Sequence, residues 1–518
     1  PHVIEIEEAM AANAPVLHDD MITQGVDPKP AKASNVAKRV AFTLGNVEEG
    51  FKQADVIIER RYSTKPVHQA YIEPHACVAA VAADGQTQIW CSSQGQFMVR
   101  AYVSKLVGID QADIRVTPAE IGGGFGGKTL VYLEPLAVAL SRKSGRPVKM
   151  VMTRDEVFRA TGPASGGVVD VKIGAKRDGT ITAASATVKL QAGAYAGSPV
   201  GPACMCAFAM YDLANVSIIG YDVVSNRPKV AAYRAPGAPI ASFAVESCVD
   251  ELAHQLKIDP IQLREKNAAK EGTKAAYGPT FKDIGYVETL TAAKQHPHYQ
   301  TKLGPNQGRG VASGFWFNIG GESSASIYVN EDGTVVLATG SPDIGGSRAS
   351  MAMMAAEVLQ IPLEKVRPIV ADTSSVGYTF LTGGSRVTFA TGMAVCQAAE
   401  ETIKDLKRRA AKIWEIAEDA VDWENGCAVP AGANAGKLPP LPLSEIALKA
   451  ADRLAGPGSP WPHIRREPKG GLMGALLDRN RLSLGALGAG DSRISPRQRA
   501  LMRLLEPAQV GAQLIVPG

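Results

Sequence analysis

The sequence feature that most constrains this chain is the string Ile121-Gly122-Gly123-Gly124-Phe125-Gly126-Gly127-Lys128-Thr129. It satisfies both the GxxxxGK[ST] pattern of phosphate-binding P-loops and the GxGxxG pattern of dinucleotide-binding turns. Consecutive glycines let backbone N–H groups approach an anion without obstruction by side chains. The string therefore predicts a ligand-binding loop. The alternative interpretation is a Gly-rich loop that packs beneath a strand and binds no ligand.

The surrounding sequence disfavours both nucleotide patterns. A P-loop follows a buried strand and needs a second acidic residue for Mg²⁺. Here the preceding run contains Pro118, which a central strand does not accommodate, and Asp372 is the best second acid. No βαβ unit with an acidic residue about 20 positions further on supports a dinucleotide fold. A P-loop NTPase is therefore kept only as a remote alternative.

Four further strings lie far apart in the chain, either at a predicted strand end or before a predicted helix. They are 92–96 (SSQGQ), 232–239 (AYRAPGAP), 340–347 (GSPDIGGS) and 382–386 (TGGSR). Each one alone is explained by a turn or a helix cap, although helix N-termini also attract anions. A mononucleotide needs one such loop. Several loops therefore predict an extended ligand, such as a dinucleotide-type organic cofactor.

Composition excludes several other classes of protein. The chain has 518 residues with 55 basic and 51 acidic side chains, so its net charge of +4 does not favour nucleic acid as a partner. It contains no apolar run near 18 residues and no signal-peptide pattern. The seven cysteines are scattered without a CxxC pair, which argues against structural zinc and predicts a reducing compartment. We expect a cytoplasmic protein in which no side chain ligates a metal.

Periodicity predicts an α+β fold. A strand is expected over 53–63, and helices over 97–107, 131–143, 241–257, 348–360 and 391–420. Pro260 is expected to stop the helix that begins at 241. Three Asp-Gly pairs, beginning at Asp84, Asp178 and Asp332, predict β-hairpins with type I′ turns.

Polar or Pro/Gly-rich segments predict the domain organisation. The expected parts are an extended lead-in over 1–45, a first subdomain over 46–293, a second subdomain over 309–470 and a tail over 471–518. A polar connector covers 294–308, and a Pro/Gly/Ala-rich linker covers 429–441. The tail has six arginines but no lysine, histidine or aromatic residue. We expect it to be a divergent or out-of-frame end. Because the chain begins at Pro1, a processed product or a fragment is also expected.

Taken together and in order, the five strings resemble the molybdenum-cofactor-binding subunit of the xanthine dehydrogenase, aldehyde oxidase and aerobic carbon monoxide dehydrogenase family. The resemblance extends over roughly residues 1–470. It implies two molybdopterin-binding subdomains of mixed sheets and helices with the cofactor between them. The cofactor would be molybdenum on a pyranopterin, often a cytosine dinucleotide, and the reaction would hydroxylate a C–H bond with water as the oxygen source.

The family also implies partners and a substrate class. Electrons would pass to a 2Fe–2S subunit and an FAD subunit, in a dimer of heterotrimers. The substrate would be an aldehyde or an aromatic N-heterocycle, and no nucleic acid or membrane span is involved.

The resemblance assigns roles to individual residues. Gln94, which would bind the apical oxygen of molybdenum, and Arg234 are the expected catalytic residues, and both would contact the cofactor. Thr129 and Phe315 are expected to contact substrate. The remaining cofactor contacts are expected from two sets of loop residues. The set beside the metal is Gly124, Phe125 and Gly126. The set at the pterin or its phosphates is Gly345, Gly346, Ser347, Gly384 and Ser385.

Departures from the family pattern narrow these expectations. Thr129 replaces a Glu of the purine-oxidising members and Pro236 replaces a Phe, so xanthine is not the expected substrate. Ala235 and Pro236 stand where carbon monoxide enzymes carry a copper-binding Cys. The usual GQG sequence is Gly345-Gly346-Ser347 here.

The largest departure concerns the family's general base, a Glu in a GxGE-like string that would take up a proton. The nearest match in this chain is Gly488-Ala489-Gly490-Asp491, within the predicted tail. A catalytically incomplete cofactor-binding fragment that needs another chain is therefore the main alternative function.

Overall fold

A computed structural model describes residues 3–317, 319–452 and 510–512. The α+β class is confirmed. The helices of the described residues are Ile6–Met10 (α1), Val47–Lys52 (α2), Gln96–Val107 (α3), Glu134–Ser144 (α4), Arg154–Ala160 (α5), Val200–Cys206 (α6), Ala238–Leu256 (α7), Pro260–Asn267 (α8), Tyr286–Gln295 (α9), Pro297–Gln300 (α10), Ser347–Leu359 (α11), Gly392–Trp414 (α12) and Leu443–Asp452 (α13). The strands are Val36–Leu44 (β1), Val56–Thr64 (β2), Ala76–Val81 (β3), Thr87–Cys91 (β4), Ile114–Pro118 (β5), Val148–Val151 (β6), Gly167–Ala175 (β7), Ile181–Gly193 (β8), Val216–Val224 (β9), Ser313–Phe315 (β10), Ala325–Val329 (β11), Val335–Thr339 (β12), Val366–Val370 (β13), Val421–Glu424 (β14), Cys427–Pro430 (β15), Leu441–Pro442 (β16) and Val510–Ala512 (β17).

The largest sheet has the strand order β1-β9-β8-β7-β2 and contains one parallel pair, β8 with β9. Helix α7 packs on β2 and β7. Apolar residues at helical spacing predict one buried face for this helix. Ala241, Val245, Cys248 and Leu252 are fully buried and share one core with Val169, whereas Leu256, the last position of the pattern, is only partly buried. Because α7 begins at Ala238, directly after residues 232–237, this sheet and helix position that loop of the candidate site.

Two smaller sheets have the same chain topology. The first hairpin unit (76–144) comprises β3, β4, α3, β5 and α4, and the second hairpin unit (325–414) comprises β11, β12, α11, β13 and α12. In each, an antiparallel hairpin leads to a helix, and the next strand returns parallel to the second hairpin strand. Both helices end in a left-handed residue, Gly108 or Gln360. The candidate loops therefore occupy equivalent positions in the two units.

The three predicted hairpins are present, but the type I′ turns are wrong. Within each Asp-Gly pair only the glycine has a positive φ, for example +91° at Gly85, whereas type I′ needs two such residues. Gly85 N donates to Ala82 O at 3.0 Å, which closes an ordinary turn before the left-handed glycine. Asp84 contributes through its side chain, because Oδ1 accepts from Gln86 N at 3.0 Å.

Helix boundaries differ from the prediction at two places. Helix α7 ends at Leu256 because Lys257 adopts a left-handed conformation, and Pro260 opens α8 instead of stopping α7. Helix α12 ends at Trp414 and follows a π-helical turn at Val387–Thr391. Pro118 lies in β5, which is an edge strand, so its missing N–H breaks no central ladder.

The predicted subdomain limits stay predictions, with one difference at the N-terminus. Part of the predicted lead-in forms β1, which pairs antiparallel with β9 as the edge of the largest sheet. Most of the predicted tail, including Asp491, lies outside the described residues, and β17 pairs antiparallel with β10. No helix in the described ranges is long and apolar enough to cross a bilayer.

Candidate cofactor site between the hairpin units

Gln94 lies between β4 and α3 and joins loops of both hairpin units. It is 4% exposed. Its Oε1 accepts hydrogen bonds from Gly126 N at 2.9 Å and Lys128 N at 3.2 Å. Its Nε2 donates to Thr382 O at 2.6 Å, and its backbone carbonyl accepts from Thr382 N at 2.7 Å. An amide nitrogen carries two hydrogens, so one N–H of Gln94 remains available to a ligand.

The two units contact each other reciprocally. In each unit, the first loop precedes the first helix and the second loop precedes the second helix. The first loop of the first unit meets the second loop of the second unit through Gln94 and Thr382. The converse contact is made by Ile121, whose N–H donates to Asp343 O at 3.2 Å. Between these contacts, Val116 and Thr373 exchange two hydrogen bonds of 3.0 and 3.1 Å. All the Gly-rich loops except 232–237 therefore converge on the junction between the units.

The Gly-rich loop packs too closely for side chains. A Cβ added to Gly124 would lie 2.5 Å from Gln94 Oε1. Gly126 has a φ of +103°, and a Cβ there would lie 2.6 Å from Ala232 O. Phe125 is also left-handed, at +52°, and is 47% exposed. The absence of a Cβ thus lets Gly124 pack against Gln94 and lets Gly126 pack against the Ala232 backbone.

The loop that carries Arg234 meets the Gly-rich loop from the other side. Arg234 N donates to Phe125 O at 2.7 Å. The Arg234 side chain is exposed and has no hydrogen-bond partner among the described residues. Thr129 turns back onto its own loop, since its Oγ1 donates to Gly126 O at 2.7 Å. Arg234 is therefore brought to the site with a free guanidinium, whereas the Thr129 hydroxyl is already used.

Gly345, Gly346 and Ser347 form the N-terminus of α11. Both glycines have positive φ angles, +64° and +83°, and a Cβ on either would meet no atom within 4 Å. In the part of the chain that the structure describes, their backbone N–H groups have no acceptor. Asp343 Oδ1 already accepts from Arg348 N at 3.1 Å in the first turn of α11, so the N–H groups that could receive an anionic group are those of the two glycines.

Gly384 and Ser385 lie in the second loop of the second unit, and both are left-handed. A Cβ on Gly384 would lie 2.6 Å from Ile319 Cδ1. The next residue, Arg386, is fully buried. It donates to the carbonyl oxygens of Gly320, Gly321, Glu322 and Phe380 at 2.7–3.0 Å. Arg386 therefore fixes the position of this loop.

The ring of Phe315 is buried and is not exposed at these loops. It is 3% exposed in the core beneath the largest sheet, where its ring centroid lies 5.6 Å from that of Phe281 and 6.2 Å from that of Tyr277. A ring enclosed by core side chains has no free face for a substrate. The burial of this ring therefore argues against its predicted contact with substrate.

Sequence reasoning missed an ion pair beneath the Gly-rich loop. Lys128 is fully buried, and its Nζ donates to Glu73 Oε2 at 2.6 Å and lies 5.0 Å from the centre of the Tyr71 ring. Glu73 precedes β3 and belongs to none of the recognised strings, so no sequence signal marked it. The same geometry contradicts a P-loop, because Lys128 faces a carboxylate and α4 begins only at Glu134.

A buried hydrogen-bond network continues below this pair. The Tyr71 hydroxyl lies 2.7 Å from His75 Nε2 and 3.3 Å from Thr161 Oγ1, and His68 Nε2 lies 2.7 Å from the same Thr161 oxygen. Burial, with a contribution from the Lys128 charge, lowers the pKa of His75 to about 3. His75 is therefore neutral in the folded protein at ordinary pH.

The residues present fit a polar cofactor with an anionic end. Gln94 offers an N–H, and the buried hydroxyl of Thr382 beside it has no partner in the described structure. The open N–H groups of Gly345 and Gly346 suit a phosphate or a similar anion. This set of donors comes from both hairpin units, as a ligand lying between them requires.

Comparison with known proteins identifies the family and the fold. Residues 29–268 and 282–468 each match a molybdopterin cofactor-binding domain. The chain is 30% identical over 396 residues to the xanthine dehydrogenase molybdenum-binding subunit of Escherichia coli O157:H7, covering 73% of this chain and 51% of that one. It is 31% identical over 344 residues to the aldehyde oxidoreductase molybdenum-binding subunit PaoC of Escherichia coli K12, covering 64% and 46% respectively.

A solved structure has the same fold. Quinoline 2-oxidoreductase from Pseudomonas putida 86 superposes with a TM-score of 0.77 at 23% identity, over 89% of this chain and 61% of that one. The chain therefore belongs to the xanthine dehydrogenase and aldehyde oxidase family of molybdenum-cofactor-binding subunits. It spans about half the length of these curated relatives.

Proposed function

We propose that this chain is the molybdenum-cofactor-binding part of a hydroxylase that oxidises an aldehyde or an aromatic N-heterocycle. The observation that carries the proposal is Gln94, which ties both hairpin units together and retains one N–H. A bound molybdenum–pyranopterin supplies the redox chemistry, in which a C–H bond is hydroxylated with water as the oxygen source.

The chain's own residues bind and orient this group. Gln94 donates its remaining N–H to a polar ligand of the metal. Gly124 and Gly126 allow the backbone to approach closely, and Phe125 lies beside them. Gly345, Gly346 and Ser347 bind an anionic part of the cofactor at the α11 N-terminus. Gly384 and Ser385 contact the pterin side from the loop that Arg386 fixes.

Arg234 and Thr129 have different roles beside the Gly-rich loop. The Arg234 backbone bonds to Phe125, its guanidinium has no partner among the described residues, and as a catalytic residue in contact with the cofactor it would stabilise negative charge that develops during the reaction. Thr129 is assigned to substrate contact. Its hydroxyl already donates to Gly126 O, so it can only accept a hydrogen bond from a substrate. Without the carboxylate that purine-oxidising relatives carry at this position, the pocket favours an aldehyde or a simpler heterocycle over xanthine.

The names of relatives support this range of substrates. One relative is a nicotinate dehydrogenase large molybdopterin subunit from Eubacterium barkeri, 29% identical over 299 residues. Another is the nicotine 6-hydroxylase large subunit of Paenarthrobacter nicotinovorans, 27% identical over 438 residues. We extend the family pattern to a cytosine dinucleotide form of the cofactor, to 2Fe–2S and FAD partner subunits in a dimer of heterotrimers, and to a cytoplasmic location.

A second candidate function is a cofactor-binding piece that another stretch of protein completes. Glu73, the carboxylate beneath the Gly-rich loop, is engaged by Lys128 and by Gly122 N at 2.8 Å, so it is not free to act as a base. The chain also spans about half the length of the relatives described above. Turnover by this chain without any added protein would exclude this candidate.

The main proposal is tested on the chain co-produced with partner subunits and cofactor-maturation proteins. We expect stoichiometric molybdenum and oxidation of an aldehyde or N-heterocycle with oxygen from isotope-labelled water. Gln94→Leu keeps the side-chain volume but removes the amide, and it should abolish turnover. Gln86→Leu on the exposed hairpin of the same unit is the matched control. A preparation of the wild-type complex without molybdenum would contradict the proposal.

A further inference from the structure

Glu73 holds both ends of the Gly-rich loop with one carboxylate oxygen. Its Oε2 accepts from Gly122 N at 2.8 Å and from Lys128 Nζ at 2.6 Å. The backbone N–H of Glu73 also donates to Gly122 O at 3.2 Å. Because Gly122 opens the loop and Lys128 closes it, this single oxygen fixes the distance between the loop ends.

The fit of Glu73 depends on burial and on close approach. A Cβ added to Gly122 would lie 2.6 Å from Glu73 Cβ, so the carboxylate reaches the loop only because residue 122 is glycine. Lys128 is fully buried, and burial lowers the pKa of its ammonium although Glu73 acts in the opposite direction. A buried ammonium without a carboxylate partner is strongly destabilising. The two side chains therefore depend on each other.

Lys128 transmits this constraint to Gln94. Its backbone N–H donates to Gln94 Oε1 at 3.2 Å, and its carbonyl accepts from Gln94 N at 3.0 Å. Lys128 thus bonds to both the side chain and the main chain of Gln94. Any displacement of Lys128 moves the amide that carries the free N–H.

We propose that the Glu73–Lys128 ion pair is a positioning device that fixes the Gly-rich loop and orients the Gln94 amide toward the cofactor. Neither residue is catalytic, because both act through Gln94 and the loop backbone. The inference rests on the proposed function, since the cofactor is the group toward which Gln94 is oriented. A purely structural ion pair would change stability without changing the metal environment.

The test uses the full chain with three variants. Lys128→Met removes the ammonium and retains apolar volume. Glu73→Gln keeps an acceptor for Gly122 N but leaves the ammonium without its carboxylate. The double variant carries no buried unpaired charge, so its stability should recover relative to Glu73→Gln. Glu265→Gln is the control, because it breaks the Lys294–Glu265 pair, which is 2.7 Å long and lies in another part of the fold.

Two readouts separate positioning from stability. Amide hydrogen exchange over 121–129, measured on the cofactor-free chain, should rise at least about tenfold in Lys128→Met and in the double variant. Exchange over 345–350 should stay unchanged. In the molybdenum-loaded complex, the electron paramagnetic resonance spectrum of Mo(V) should shift in the double variant, even where its unfolding midpoint has recovered.

Two results would overturn the positioning role. One is a double variant whose loop exchange matches that of Glu265→Gln. The other is a double variant whose Mo(V) spectrum matches that of the wild type. Absence of molybdenum from the wild-type complex would instead contradict the proposed function. The exchange measurement needs no cofactor and would still test how Glu73 and Lys128 hold the loop.

Discussion

The two hairpin units share one topology but present different surfaces at their junction. In the first unit the loop before the helix carries Gln94, which is almost fully hydrogen-bonded, and a Cβ on Gly95 would clash with Leu381. In the second unit the equivalent loop ends in Gly345 and Gly346, which face open space. Under the proposed function, the first arrangement presents a tightly held amide to the metal-centred group, and the second presents free N–H groups to an anion.

Each unit also carries a buried cation in its second loop, but the two cations bind differently. Lys128 pairs with the carboxylate of Glu73, whereas Arg386 donates to four backbone carbonyls. A guanidinium has five donors in a fixed plane and can satisfy several carbonyls, while an ammonium is a point charge. Two units of one topology therefore fix their loops differently, one by an ion pair between residues far apart in sequence and the other by contacts with main-chain carbonyls.

The largest expected effect is on the second unit. Arg386→Met leaves four carbonyls of the 320–322 and 380 segments without their donor, so we expect the free energy of unfolding to fall by about 3 to 5 kcal/mol. Urea titration measures this loss. Arg367→Met, at an exposed position of β13, is the control and should change stability by less than about 0.5 kcal/mol. Equal losses in the two variants would contradict the role of Arg386.

The next largest effect is on the packed loop of the first unit. Gly124→Ala places a Cβ 2.5 Å from Gln94 Oε1. Displacing this amide should lower turnover by about 100-fold, since small misplacements in an active site have effects of that size. Gly201→Ala, where a Cβ meets nothing within 4 Å, is the matched control. Turnover of Gly124→Ala within a few-fold of wild type would show that the close contact is unimportant.

Neither hairpin unit contains a histidine, but His75 directly precedes β3 of the first unit, so acid sensitivity should arise beside that unit. The pKa of His75 is lowered to about 3 in the folded protein, so the unfolded chain takes up this proton first. Its contribution to stability is complete above about pH 6.5 and decreases as the pH falls from there toward 3. At pH 5.5 the loss should be about 1.4 kcal/mol.

Unfolding of wild type and His75→Gln at pH 7.5 and pH 5.5 measures this effect. Glutamine retains an acceptor for the Tyr71 hydroxyl but does not titrate. The variant should lose about 1.4 kcal/mol less than the wild type between the two pH values. Identical pH dependence in both proteins would place the acid sensitivity elsewhere.

The smallest expected effect is at the open loop of the second unit. Gly345→Ala keeps the backbone N–H groups and meets no neighbouring atom, so its main effect is the strain of a left-handed alanine, about 1 kcal/mol. Molybdenum content should stay near the wild-type level, and turnover should fall far less than in Gly124→Ala. A loss as large as that of Gly124→Ala would remove the proposed difference between the two units.

Local features of this fold could be predicted from the sequence. The three Asp-Gly hairpins and helix α3 depend on residues within a few positions of one another, and even the wrong turn type concerned only one φ angle in each pair. The Gly-rich strings also identified the loops that meet at the junction. Their roles came from resemblance to a family, since glycine patterns alone fit several ligands.

The contacts that give the site its geometry could not be predicted in this way. Gln94 and Thr382 are 288 positions apart, and Glu73 and Lys128 are 55 apart. The first contact depends on how the two hairpin units pack, and the second depends on how the Gly-rich loop folds against the segment before β3. No local pattern encodes either. Phe315 is the opposite case. The family resemblance places it in contact with substrate, whereas the fold buries its ring in the core.

We propose that a molybdenum cofactor lies at the junction of the two hairpin units with its metal next to Gln94. Anomalous diffraction at the molybdenum absorption edge, from crystals of the loaded complex, locates the metal directly. We expect a single peak per chain, close enough to Gln94 Nε2 for one metal ligand to accept its free N–H. A peak distant from Gln94, or no peak in a complex that oxidises its substrate, would refute this placement of the metal.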